Sequence, residues 1–203
     1  MSVQSEVSLY NAKLQKLAPF GYSYSVHIRF ALPLLHHQTY PEGWAELYAE
    51  EAYALRDPII AWGFSQTGTS RWSEFEIPDP FEILSKARNF DMNYGFAVAC
   101  GPIKSRTIAS AARPDQEFSN EEMEEFSRII HQIHDLSEPP NSLTKAQIDA
   151  LRLIAEGDRH AAAAAKLDIS ESALKARLSS ARTNLHARTT AEAIQRARDF
   201  RLL

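Results

Sequence analysis

The sequence predicts an α+β protein in two parts. Residues 1–137 read as an α-β-α sandwich and residues 143–203 as a small all-α, four-helix domain, with a linker at 138–142. Three observations carry this. Strand-like and helix-like segments are mixed in the front part, whereas only helical periodicity is found in the tail. The run Glu138-Pro139-Pro140-Asn141-Ser142 breaks both patterns, as a linker does. The formal charge of -4 divides at the same place: residues 142–203 hold 11 Lys+Arg against 7 Asp+Glu, and the remainder holds 11 against 19. An acidic larger part joined to a basic smaller one points to a polyanion partner for the tail alone, although charge by itself also fits chance solvated faces.

Composition excludes several classes. With 44% apolar and 24% charged residues among 203, the chain has enough to bury a core and is no disordered polymer. Its longest apolar run, Tyr94 to Cys100, is far short of a membrane span, and MSVQSEVSLYNAKL lacks the basic and apolar regions of a secretory signal. The single cysteine, Cys100, allows no internal disulfide and no Cys-pair zinc site, and suits the reducing cytoplasm in which we expect the protein. Seven glycines without Gly-x-Gly-x-x-Gly spacing argue against phosphate-cradling loops. Few acids near the start, only Glu6 before Glu42, exclude a phospho-receiver.

The front elements follow in order. Tyr22, Tyr24, Val26, Ile28 and Phe30 alternate with smaller or polar residues and predict a half-buried strand. Glu42 to Tyr53 predicts a helix with Trp44, Leu47, Tyr48 and Ala52 on one side, interrupted by Asp57-Pro58. Another helix is predicted over Asp79 to Phe90, strands over Phe96 to Ala99 and Thr107 to Ala112 around Gly101-Pro102, and a long amphipathic helix over Phe118 to Leu136. Strands flanked by helices suggest a sandwich of PAS or GAF type.

Within this part, Tyr40, Trp44, Tyr48, Asp57 and Trp72 form a constellation. Trp44 and Tyr48 lie four apart, on one helix face. Aromatic walls with a few polar points suit an amphiphilic small ligand, Asp57 accepting from an amide N–H and the Trp72 indole donating to a carbonyl. The same residues also read as an ordinary aromatic core with Asp57 as a turn residue before Pro58.

In the tail, Thr144 is placed to cap a first helix carrying Ile148, Leu151, Ile154 and Ala155 and ending at Gly157. A second helix covers Arg159 to Leu167, where Ala161 to Ala165 are strong helix formers that permit close packing. Asp168-Ile169-Ser170 is a turn ending in an N-cap. In the third helix, Glu171 to Leu185, the stripe Leu174, Leu178, Ala181 and Leu185 faces inward. Ser172, Ala176, Ser179 and Thr183 lie opposite, flanked by Lys175 and Arg182 on one side and Arg177 on the other. A fourth helix spans Thr190 to Phe200. The third helix alone reads equally as an amphipathic helix with a solvated face. Two helices joined by a three-residue turn, in a basic domain, predict a helix-turn-helix reading the major groove of double-stranded DNA.

On these residues the tail resembles the DNA-binding domain of LuxR-type transcriptional regulators. The pattern Leu143-Thr144, Leu151, Ala155-x-Gly157, Leu167-x-Ile169-Ser170, Leu174-Lys175, Leu178, Leu185 and Ala191-x-Ala193 runs through the module. Gln147, Ala163, Asp168, Ala173 and Arg177 depart from the residues usual there. The spacing Tyr40, Trp44, Tyr48, Asp57-Pro58, Trp72 is similar to the autoinducer-binding domain of LuxR-type quorum-sensing regulators, with departures at Ala99 and over Cys100 to Arg106.

The resemblance implies an N-acyl-homoserine lactone as ligand, with no other cofactor. Trp72 would donate to the lactone carbonyl, Asp57 would accept from the amide, Tyr48 and Ser110 would meet the acyl carbonyl, and Tyr40 and Trp44 would wall the site. It also implies a homodimer on a palindromic promoter site, contacted by Ser172, Lys175, Ala176, Arg177, Ser179, Arg182 and Thr183. No catalytic residue is expected: in Gly63-Phe64-Ser65-Gln66-Thr67-Gly68 the second glycine of a nucleophile elbow is one position late. His131 with His134, and His36-His37, read as surface histidines rather than metal ligands, and Cys100 as a small buried residue. Rival readings are a LuxR-type regulator answering another ligand or none, and a lactone-processing enzyme with a regulatory tail.

Overall fold

The computed structural model describes residues 3–28, 32–138, 143–200 and 202–203, and the chain divides into two compact units, Met1–Glu138 and Pro139–Leu203. In the first unit, alternation along β1 (Gly21–Ile28) sends Tyr22, Tyr24 and Val26 to one face. There they pack with α1 (Val3–Leu17) and α5 (Asn120–Ser137) in a core with Leu14, Phe96, Phe126 and Ile130. The other strands are β2 (Leu35–Gln38), β3 (Gly68–Arg71), β4 (Tyr94–Cys100) and β5 (Arg106–Arg113). Among the described residues they form one antiparallel sheet in the order β2-β1-β5-β4-β3. The opposite face carries α2 (Glu42–Glu50), α3 (Pro58–Ser65) and α4 (Ile83–Ala87). This mixed α/β sandwich has helices on both sides.

Several boundaries differ from expectation for local reasons. The alternation of β1 stops at Val26: His27 adopts a φ of 52° and the pairing slips between Ser25 and Ile28, so that His27 and Ile28 are both buried. Phe30, the expected strand end, lies outside the described residues. The helix expected over 42–53 ends at Glu50, followed by a left-handed turn at Ala52, φ 51°. Asp57-Pro58 does interrupt, but it also starts α3: the Asp57 carboxylate accepts from the Ile59 amide and Pro58 occupies the first turn. The helix expected over 79–90 shortens to α4 and a 3-10 turn, because both Asp79 carboxylate oxygens cap Ile83 and Leu84. The sequence reading did not anticipate α1, β2, α3 or β3.

Two histidine expectations need correction. His134 is buried rather than on the surface: its Nδ1 lies 2.8 Å from Thr107 Oγ1, and its ring centroid is 4.2 Å from that of His27, tilted by 34°. His37 is half-buried beneath β2, 3.2 Å from the Tyr22 hydroxyl. Both follow from the enclosure of the sheet on the α1/α5 side.

The second unit consists, among the described residues, of α6 (Lys145–Ala155), α7 (His160–Lys166), α8 (Glu171–Asn184) and α9 (Thr190–Asp199). Thr144 and Gln147 cap α6 reciprocally, each side chain taking the other's backbone amide. Gly157 closes the following turn at φ 95°. Ser170 caps α8 through the Ala173 amide. Leu174, Leu178, Ala181 and Leu185 are buried against Leu151, Ala163, Ala164 and Ala193. Alanine at 163 and 164 removes side-chain bulk where α7 meets α8.

Candidate functional site

Between the sheet and α2, α3 and α4 lies a cavity of about 270 Å³. Tyr40, Trp44, Tyr48, Asp57, Trp72 and Ser110 all line it, though they come from five separate segments. Trp44 and Tyr48, one turn apart on α2, meet edge to face at 5.8 Å. Asp57 is held at the start of α3. Trp72 follows β3 and lies flat over Gly95, where a Cβ would come within 2.5 Å of the indole. The helix reaches the sheet through a similar device: a Cβ at Gly63 would be 2.6 Å from the Ile108 side chain. Trp62 and Phe75 stack at 5.5 Å beside them, over Ala97 and Ala99 of β4.

The polar atoms of the cavity are few and mostly buried. Asp57 Oδ2 accepts from the Tyr48 hydroxyl at 2.6 Å and Oδ1 from the Ile59 amide at 2.7 Å. Burial pushes its carboxyl up to about 6, and these two donors restrain the rise. The Tyr48 hydroxyl is driven well above its ordinary range by burial and by the adjacent Asp57. Trp72 Nε1 donates to Ser110 Oγ at 3.2 Å, and Ser110 donates in turn to the Phe96 carbonyl at 2.8 Å. The Tyr40 hydroxyl is buried near Ser23 and Ser110 without closing an aligned hydrogen bond, and burial raises its pKa. Around Asp57 the site therefore offers a carboxylate acceptor with spare lone pairs, the Trp72 indole donor and the Tyr40 hydroxyl between aromatic walls. That inventory matches a small amphiphile carrying both an N–H and carbonyl groups.

Sequence reasoning missed Ser23, Ser25, His36 and Gln38, which also line the cavity. The alternation of β1 already put Ser23 and Ser25 opposite Tyr22 and Tyr24. In a sandwich covered on both faces, that opposite face is partly enclosed: Ser23 and Ser25 are half-buried, whereas His36 and Gln38 stay exposed on the edge strand. The declined nucleophile segment takes no part: Ser65 ends α3 with its hydroxyl on the Trp62 carbonyl.

In the second unit, Ser172, Lys175, Ala176, Ser179 and Thr183 are exposed along α8, while Arg177 and Arg182 are half-buried. Arg182 lies back along the helix, its Nη2 donating to Ser179 Oγ at 3.3 Å. The face is thus a strip of small polar side chains with cations at its margins.

Among the described residues no group of three His, Cys, Asp or Glu is placed to hold a metal ion, and no helix is long and apolar enough to cross a membrane. The fold is that of Escherichia coli SdiA, whose crystal structure aligns over 98% of this chain and 90% of its own, with a TM-score of 0.52 and 20% identity. SdiA in complex with octanoyl-rac-glycerol aligns over 98% and 89%, with a TM-score of 0.54 and 18% identity. The N-acylhomoserine lactone-dependent LuxR family transcription factor CepR2 of Burkholderia cenocepacia aligns over 67% and 83%, with a TM-score of 0.50 and 18% identity. No curated protein matches the chain. The family model of the autoinducer binding domain matches residues 20–136, which hold the sheet, the cavity and every polar atom described in it; the chain belongs to the autoinducer-binding domain family.

Proposed function

We propose that the chain is a ligand-responsive transcriptional regulator whose cavity takes an N-acyl-homoserine lactone and whose residues 143–203 form a helix-turn-helix that binds double-stranded DNA as a homodimer. The observation that carries the ligand half is the convergence of Tyr48, Asp57, Trp72 and Ser110 on one cavity in an autoinducer-binding domain. Trp72 Nε1 exchanges its 3.2 Å bond to Ser110 for the lactone carbonyl, and Ser110 turns its proton from the Phe96 carbonyl to the acyl carbonyl. Asp57 keeps both present donors and accepts the ligand amide on a remaining lone pair. Tyr40 gains a partner for a buried hydroxyl that would otherwise cost about 1–3 kcal/mol. Tyr48 holds Asp57 in position and faces the acyl group.

The DNA half is supported by the motif pattern of the tail, its net positive charge and the exposed polar strip of α8. A homodimer would present two such strips to half-sites one helical turn, about 10 bp, apart on a palindromic site. One relative's complex favours a second ligand class: SdiA holds octanoyl-rac-glycerol, an acyl ester with hydroxyl and carbonyl groups but no amide. Mass spectrometry of small molecules extracted from the purified protein separates the cases. Recovery of an intact acyl-homoserine lactone supports the proposal, and an acyl glycerol supports the second class. Lactone opened on incubation with the protein would point instead to an enzyme.

A further inference from the structure

The cavity has one polar side, whereas Ile59, Ile60, Ile83, Met92 and Ile108 line others. Its floor is contributed by β5, β1 and β2, and the β1–β2 part is polar: Ser23 pairs with Gln38, and Ser25 with His36. Paired residues share a face, so all four present their side chains to one side of the sheet. Ser25 Oγ lies 3.0 Å from His36 Nδ1 and fixes the ring at the sheet edge. Burial lowers the His36 pKa, so the ring is neutral and offers both a donor and an acceptor nitrogen.

A ligand anchored at Asp57, Trp72 and Ser110 has two courses for its tail, beside Ile59, Ile60 and Ile108 or across the polar β1–β2 floor. Towards β4 the sheet is sealed, because Trp62 and Phe75 stack over Ala97 and Ala99. Along β5 towards Ala112, Trp72 closes the floor over Gly95. The course that offers polar partners crosses β1 towards β2. Ser110 faces Ser23, and His36 lies one strand further and two residues along. With strands about 4.8 Å apart and about 3.3 Å per residue, Ser110 and His36 are about 12 Å apart. An extended chain advances about 1.2 Å per bond, taking three bonds per residue of extended backbone. An eight-carbon acyl chain with a terminal polar atom therefore reaches hydrogen-bonding distance of the imidazole. A plain alkyl tail on this course would cover Ser23, Ser25 and His36 without giving them partners.

Resting on the lactone reading above, we propose that the cavity selects an acyl chain carrying a hydrogen-bonding group at its far end, recognised by His36 held by Ser25, over an unsubstituted alkyl chain. The position is specificity-determining and separate from the Asp57–Trp72 anchor.

The test is calorimetric binding of N-octanoyl-homoserine lactone and its ω-hydroxyoctanoyl analogue to the full chain, to His36→Leu and to Ser25→Ala. One net hydrogen bond makes the hydroxylated ligand bind about three- to tenfold tighter to the native chain. His36→Leu should cancel or reverse that ratio, and Ser25→Ala should shrink it by freeing the ring. Melting temperatures of both variants check that they fold, and Ser25→Ala carries the test if His36→Leu does not. Equal binding of the two lactones to the native chain, or tighter binding of the octanoyl lactone, overturns this proposal while leaving the lactone reading intact. Binding of neither overturns the lactone reading and the tail preference together.

Discussion

Asp57 has two roles that pull in the same direction. It caps α3 through Ile59 and is the buried acceptor of the cavity. Asp57→Ala should lower stability by about 1 kcal/mol through the lost cap. It should also weaken lactone binding about 5- to 150-fold, through about 1–3 kcal/mol for the unpaired ligand amide. Calorimetry and thermal unfolding read the two effects separately, and unchanged affinity would remove Asp57 from the binding machinery. Its carboxyl also sets a pH dependence. Burial raises it from 3.8 to about 6, so folding favours the protonated form relative to the unfolded chain, and this contribution to stability is full below 3.8 and lost as pH rises through about 6. A ligand amide donates to the ionised form and draws the pKa back down. Binding therefore releases a proton, and affinity should be full above about pH 6 and fall as pH drops through that value. Affinity measured between pH 5 and 8 that stays flat would contradict the assigned contact. At this scale the sequence was informative because the spacing of Tyr48, Asp57 and Trp72 matches a known family pattern, whereas spacing alone also fits an ordinary aromatic core. Ser25 and His36 were missed because β2 is too short for its pairing with β1 to be read from a pattern, and His36 stays exposed on that edge strand.

Among the elements, glycines set the closeness of the layers. Gly95 accepts the Trp72 indole, and Gly95→Ala would put a methyl 2.5 Å from the ring. The ring must move, so we expect a loss of about 1–3 kcal/mol, a changed tryptophan emission spectrum and weaker ligand binding. A native spectrum with full affinity would show that the position of Trp72 is not fixed by that contact. In the tail, Lys175→Ala and Arg182→Ala should each lower DNA affinity, with a shallower salt dependence where a phosphate contact is lost. Unchanged affinity and slope in both variants would mean that another face meets DNA. Long periodic elements were legible: α5, α8 and the β4–β5 pair stand close to where periodicity put them. Short ones were not. β2 and β3 have four residues each, too few for a period, and α1 has a weakly segregated apolar face. The α3 start was hidden because Asp-Pro was read as a breaker, when the same pair makes a good cap and first turn.

At the scale of the whole molecule, a ligand that fills the cavity should stabilise the fold. Large side chains from five segments surround a space where filled packing would otherwise supply dispersion contacts. A domain has only about 5–15 kcal/mol of stability in all. Ligand at 100 times its dissociation constant adds about 2.7 kcal/mol by mass action. For a chain of this size each kcal/mol moves the melting temperature by about 2–4 °C. The most direct measurement is thermal unfolding of the full chain against increasing concentrations of acyl-homoserine lactones, plain and ω-hydroxylated, alongside Asp57→Ala. The melting temperature of the native chain should climb by about 5–10 °C with dose, and that of Asp57→Ala should climb little. A native chain that melts at one temperature across the whole lactone panel would contradict the assignment of the cavity as an acyl-homoserine lactone site.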